Sequence, residues 1–231
     1  MSNKIANILY AFCAVVESFG GILQLPESVH YITKPALMII LIWYFLNECK
    51  GKVVKNKTLF VLAMIGALLG DTFLMFQQQN PFFFVLGLGS FLLMQIGYSI
   101  YFNREIEFSK SLLKHKPYFI IPVIIYSASL YLLLADKVGD LKPAILAYTL
   151  CISVMMLAAI NRFGQVSQKS FNWVFWGALL FLISDSCIAI NKFGSPIPMA
   201  GFCIMATYAA AQYLIVGGVD SHLFQISKLS I

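Results

Sequence analysis

The sequence predicts an all-α protein: a polytopic bundle of eight transmembrane helices forming one integral membrane domain over residues 1–231, with both termini cytoplasmic. Three observations carry this. Hydrophobic residues make up 60% of the chain and charged residues 11%, against roughly 45–50% and about 25% in soluble domains. The apolar residues gather into runs of the length a bilayer requires, about 20 residues per span. Lysine and arginine concentrate in alternate loops, the asymmetry that marks the cytoplasmic face.

The first apolar run, from about Ile5 to Leu25, is longer than the roughly 7–15 residues of a signal-peptide core. No Ala-x-Ala type cleavage site follows it, so it reads as a permanent helix. Further spans are expected near 31–47, 58–76, 82–102, 117–134, 142–160, 171–190 and 197–217, divided by charged or turn-rich breaks. The break Ala135 to Asp140 is short but carries three charges and a glycine. Lys4, the Lys50 to Lys57 loop, Arg104 with Lys110, Lys114 and Lys116, Arg162 with Lys169, and Lys228 fall on one side; Lys34, Lys137, Lys142 and Lys192 fall on the other. This bias of about three to one sets the orientation and requires an even number of spans.

The formal charge of +6 is spread over these short loops and not massed in one tract, which argues for membrane topology and against a nucleic-acid partner. Cys13, Cys151, Cys187 and Cys203 lie within apolar runs and Cys49 at a helix end; small buried thiols are expected, not a disulfide framework.

The two halves echo each other at an offset of about 110 residues. Lys34-Pro-Ala-Leu37 opens the second span and Lys142-Pro-Ala-Ile145 the sixth, while Gly66-Ala-Leu-Leu69 precedes Asp71 and Gly177-Ala-Leu-Leu180 precedes Asp185. Gln95 with Tyr98 in the fourth span matches Tyr208 with Gln212 in the eighth. Either this is a parallel four-plus-four repeat, its axis along the membrane normal, or Gly-, Ala- and Leu-rich runs match by chance. A repeat places the two aspartates at equivalent depth, facing one shared cavity.

An ionisable side chain in the bilayer interior costs about 2.5–3.5 kcal/mol on insertion scales, so it needs a partner, a proton or water. Glu17, Lys34, Asp71 and Asp185 all fall within expected spans. One lysine neutralises one carboxylate and pins helices together. The surplus carboxyls are kept protonated by apolar surroundings, and a protonated carboxyl beside an ionised one is equipment for general acid and base catalysis. Gly66 and Gly70 allow close helix approach, and Ser184 lies beside Asp185. The pairs Gln95 with Tyr98 and Tyr208 with Gln212 form either interhelical hydrogen bonds or a polar cavity wall; their depth, that of the acids, favours the wall. His30, His115 and His222 fall in loops or tails without zinc-site spacing. The chain also lacks a Gly-x-Ser-x-Gly elbow and a phosphate-cradling loop. His115 with its neighbouring lysines reads as a topology or headgroup anchor.

Thr33-Lys-Pro35, Gly66-Ala-Leu-Leu-Gly-Asp71 followed by Leu74-Met75, Gly177-Ala-Leu-Leu-Phe181 with Ser184-Asp185, and Tyr208 through Gln212 together resemble the YhhN family of membrane proteins, whose characterised members are lysoplasmalogenases. The resemblance implies an ether hydrolase without metal or cofactor. Its substrate would be a lysoplasmalogen, lysoplasmenylcholine or lysoplasmenylethanolamine, and its products a fatty aldehyde and glycerophosphocholine or glycerophosphoethanolamine. On that reading Asp71 and Asp185 form the acid and carboxylate pair, and Lys34 holds the ionised carboxylate or meets the substrate phosphate. Tyr208 and Gln212 line the cavity, with Glu17 a further candidate. The chain departs from the family at Gln95, where members commonly carry a histidine a few residues before a tyrosine; glutamine hydrogen-bonds but does not titrate. Intramembrane acids and a central lysine also suit a small proton-coupled lipid or solute transporter, or a protein in which the acids only hold helices together. The expected location is the bacterial inner membrane, among membrane lipids.

Overall fold

The computed structural model describes the backbone of residues 2–229 and the side chains of residues 2–223; the side chain of Lys228 lies outside them. All regular structure in the described residues is helical. Eight long helices are joined by short loops: α1 (Asn3–Gly20), α2 (Glu27–Glu48), α3 (Lys57–Met75), α4 (Phe82–Arg104), α6 (Ile120–Leu134), α7 (Lys142–Asn161), α8 (Gln168–Phe193) and α9 (Ala200–Leu229). A four-residue turn of helix, α5 (Leu112–His115), lies in the loop after α4. The chain is a multi-pass membrane protein: α2, α3, α4 and α6 to α9 are long and apolar enough to cross a bilayer. α1 is not among those seven. It ends at Gly20, short of Leu25, because Gln24 takes a left-handed φ of 51° and Pro26 follows; its 18 residues also carry Lys4 and Glu17.

Two hairpins dominate the packing, α3 against α4 and α8 against α9, and both depend on glycine at the contact. A Cβ at Gly70 would lie 2.7 Å from the Phe91 ring, and one at Gly177 would lie 2.9 Å from the carbonyl oxygen of Ala211. The same device carries α9 past its expected end near 217, because Gly217 and Gly218 press against Trp173 and Val174 of α8. Side-chain contact there supports a glycine pair that would weaken an isolated helix.

At the end of the bundle that holds the lysine-rich loops, Arg162 is fully buried. Its Nε donates to Glu105 Oε2 at 2.9 Å and its guanidinium to Ser170 Oγ at 2.9 Å, while Ser170 Oγ donates to the Gly218 carbonyl at 2.7 Å. One cluster therefore ties the ends of α4, α7, α8 and α9.

By contrast α6 is held loosely, with Val123 and Leu134 its buried side chains. Ser127 shares a 2.7 Å hydrogen bond with Ser153 of α7, and Tyr126 Oη donates to Ser186 Oγ of α8 at 2.9 Å. All five cysteines are free thiols.

Candidate functional site

Asp185 sits on the inner face of α8, 9% exposed. Its Oδ2 accepts two hydrogen bonds, from Tyr148 Oη of α7 at 2.6 Å and from Gln95 Nε2 of α4 at 3.1 Å. Among the described residues nothing donates to the other oxygen, Oδ1. Asp185 also lines a narrow cleft of about 40 Å³ bounded by α3, α4, α6, α7 and α8, and it is the charged residue of that lining. The remaining wall is apolar or hydroxyl-bearing, including Leu74, Phe91, Tyr126, Tyr148 and Ser186. An acid fixed by two donors on one oxygen, with the other turned to an apolar cleft, is placed to exchange a proton with a bound molecule.

Asp71, expected to join Asp185, has partners of its own. Tyr208 Oη of α9 donates to Asp71 Oδ2 at 2.5 Å. Lys34 of α2 acts on Asp71 through its charge without a direct ion pair, as does Glu17 of α1. No hydrogen bond among the described residues joins the two aspartates, and Asp71 does not line the Asp185 cleft. Phe91 touches the surroundings of both. It walls the cleft on one side and packs edge-on against Tyr208 at 5.9 Å on the other, with Gly70 beneath its ring.

The other expected site residues divide in the same way. Gln95 meets Asp185, whereas Tyr98 Oη donates to Gln212 Oε1 at 3.0 Å and Gln212 Nε2 reaches Met94 Sδ at 3.3 Å. Tyr98 and Gln212 are fully buried, so this pair is an interhelical hydrogen bond and not the cavity wall expected. Ser184 Oγ donates to the Ile204 carbonyl at 3.0 Å, joining α8 to α9. Glu17 accepts from Thr33 Oγ1 and lies 3.3 Å from His30 Nδ1. His30 therefore belongs to α2 and not to a loop, because the helix begins at Glu27, behind Pro26. His115 lies in the short α5 and His222 in α9, not in a tail.

Tyr148 was missed: a tyrosine in an apolar run carries no charge to flag it, although its spacing places it inside the sixth expected span. Tyr10, whose Oη donates to the Ala209 carbonyl at 2.7 Å, escaped for the same reason. Among the described residues no three His, Cys, Asp or Glu side chains are grouped to hold a metal.

The chain is similar to the lysoplasmalogenase TMEM86B of Sus scrofa, 37% identical over 101 residues, 43% of this chain and 41% of that protein. It is similar to the lysoplasmalogenase TMEM86A of Bos taurus, 30% identical over 166 residues, 69% of this chain and 64% of that protein. To the lysoplasmalogenase TMEM86B of Homo sapiens it is 36% identical over 86 residues, 37% of this chain and 34% of that protein. The matched stretches thus span under two thirds of each relative. No solved structure matches the chain. Residues 29–219, a stretch that contains Asp71, Gln95, Tyr148, Asp185 and Tyr208, match the YhhN family, and the chain belongs to that family.

Proposed function

We propose that the protein is a lysoplasmalogenase that hydrolyses the vinyl ether bond of a lysoplasmalogen within the membrane, with Asp185 as the proton donor. The observation that carries this is the free Oδ1 of Asp185 on an apolar cleft, its carboxyl held by Tyr148 and Gln95. A vinyl ether is opened by protonating the alkene carbon distal to oxygen. The resulting oxocarbenium ion is captured by water, and the hemiacetal so formed collapses to an aldehyde and the glycerol hydroxyl. Asp185 delivers the proton, and its carboxylate then stabilises the cation and draws the proton from the attacking water. Tyr148 donates to that carboxylate as its charge develops. The sequence of steps uses a carboxyl group and a water molecule, and it calls on no metal or serine nucleophile.

Asp71 acts here as a positioning residue. Its bond to Tyr208 holds the ring against which Phe91, a wall of the cleft, is packed. The matched hydrogen bonds of Asp71 to Tyr208 and of Asp185 to Gln95, each from one hairpin to the other, support a parallel four-plus-four repeat. The lysine-rich loops support cytoplasmic termini, with α1 completing eight membrane helices in a bacterial inner membrane.

The test is aldehyde release from a lysoplasmalogen by purified protein in detergent. Asp185→Asn should lower kcat by about 10²–10⁴-fold, the usual worth of a general acid. Asp71→Asn should lower it less and leave measurable turnover. A folded Asp185→Asn protein that turns over at the parent rate sinks the mechanism.

A further inference from the structure

The Asp185 cleft does not end at Asp185. Tyr126 and Leu182 line it and also line a second, wider cleft of about 730 Å³, which runs between α6 and α8 toward Lys116 and Phe171. The walls of this second space are apolar, with Val123, Phe175 and Leu179 among them, and Lys116 at its far end is the charged residue of its lining. At the other end of the Asp185 cleft, Lys192 Nζ stands 5.0 Å over the ring of Phe84, a wall residue of that cleft. Along α8 the acid therefore lies between Lys192, outside the Phe84 wall of the cleft on one side, and a long apolar slot on the other.

Resting on the lysoplasmalogenase reading, we propose that the lysophospholipid lies along α8 in one polarity. Its phosphate is at Lys192, its vinyl ether at Asp185, and its chain passes between Tyr126 and Leu182 into the slot between α6 and α8.

Distances along α8 fit this polarity. Lys192 is seven residues from Asp185 on the same face, about 10 Å away at the helical rise. In a lysoplasmalogen the ether oxygen and phosphorus are five bonds apart, about 6 Å when extended, and the flexible lysine side chain spans the rest. In the other direction Phe171 is fourteen residues from Asp185, about 21 Å. An extended alkyl chain advances about 1.3 Å per carbon, so a hexadecyl chain fills the slot. The reverse polarity, with the phosphate at Lys116, would leave the ether roughly 10 Å short of the acid after the same allowances for the five-bond spacing and the lysine side chain.

The test uses saturated, uncleavable ether analogues, hexadecyl- and hexyl-glycerophosphocholine, binding to the full chain in phosphatidylcholine nanodiscs. Lys192→Gln should weaken both analogues by about the same factor, near tenfold for one lost charge contact of about 1.4 kcal/mol. Leu179→Trp plugs the slot six residues from Asp185; it should weaken the hexadecyl analogue at least tenfold and spare the hexyl one. Should the tryptophan variant fail to fold, Leu179→Phe repeats the comparison with a smaller plug. Lys116→Gln should change neither. Unaltered binding in Lys192→Gln, equal effects of Leu179→Trp on the two chains, weakening by Lys116→Gln, or no binding by the parent each overturns the proposal. Because the analogues are not cleaved, a parent that binds them in this pattern but releases no aldehyde refutes the hydrolase reading and leaves the binding polarity standing.

Discussion

Tyr148→Phe isolates the hydroxyl that donates to Asp185 at 2.6 Å and keeps the ring that fills the cleft wall. On the proposed mechanism Asp185 gives up its proton and charge accumulates on the oxygen that Tyr148 bonds, so that bond would strengthen toward the transition state. A hydrogen bond to a charged group is worth about 1.5–3 kcal/mol, and at about 1.36 kcal/mol per decade its loss lowers kcat by about 10- to 150-fold. KM should stay near the parent value, because the hydroxyl is committed to the carboxyl and the apolar contact surface is retained. Initial rates of aldehyde release over a range of substrate concentrations separate the two constants. The double variant with Asp185→Asn should be no slower than Asp185→Asn alone, since the tyrosine acts through that acid. An unchanged kcat, a loss confined to KM, or fully additive losses in the double variant would refute the assignment.

The remaining predictions concern the supports of the site. Gln95→Leu removes the second donor to the same Asp185 oxygen; its bond is longer, 3.1 Å against 2.6 Å, so hydrolysis should slow less than in Tyr148→Phe, by about tenfold. Gln95→His restores a ring N–H at a position where the glutamine Oε1 is buried without a partner, and should recover the rate; a histidine variant no faster than the leucine one counts against this geometry. Arg162→Met leaves Glu105 buried without its cation, a change that costs about 3–5 kcal/mol for a buried pair, and should lower the melting temperature in detergent. Burial already pushes the Glu105 carboxyl up against the opposing pull of Arg162. In Arg162→Met that opposition is gone, so the variant is most stable with Glu105 protonated and should lose stability as pH rises, more steeply than the parent. A flat melting profile would contradict this. Gly177→Ala places a methyl 2.9 Å from the Ala211 backbone oxygen and should destabilise the α8 and α9 hairpin by about 1–3 kcal/mol, as overpacking does; thermal melting reads it directly.

Hydropathy made seven of the eight long helices legible as apolar runs of bilayer length; α1 is a helix but falls short of that pattern. Their ends were less so. The eighth span was expected to end near 217, yet Gly217 and Gly218 are where α9 meets Trp173 and Val174, and only the opposing helix reveals that use. His30 was placed outside a helix because the apolar run starts later than the helix, which begins behind Pro26. The depth of Asp71 and Asp185 could be counted from the sequence, since it follows from the helical rise. Their separation could not, since it depends on how α3 and α8 are rotated about their axes and on the Phe91 ring seated over Gly70. Tyr148 illustrates a further limit: charge in an apolar run announces itself, and a hydroxyl does not.

The separation of the two acids bears on the choice between hydrolysis and transport. A proton-coupled carrier has to expose its carboxyls in turn to the two sides of the membrane, along a path that a cargo shares. Here Asp71 is not among the residues lining the cleft and is committed to Tyr208. Asp185 stands alone in the cleft with one oxygen held and one unengaged. Vinyl ether hydrolysis asks for little more: one proton delivered at one carbon, and one carboxylate left beside the cation it creates. On the proposed mechanism apolar walls would serve that chemistry twice, by taking up the lipid chain and by strengthening the attraction between carboxylate and oxocarbenium ion in a low dielectric. Gln95 is consistent with this division of labour, because a residue that orients an acid has to hydrogen-bond to it and does not itself have to titrate.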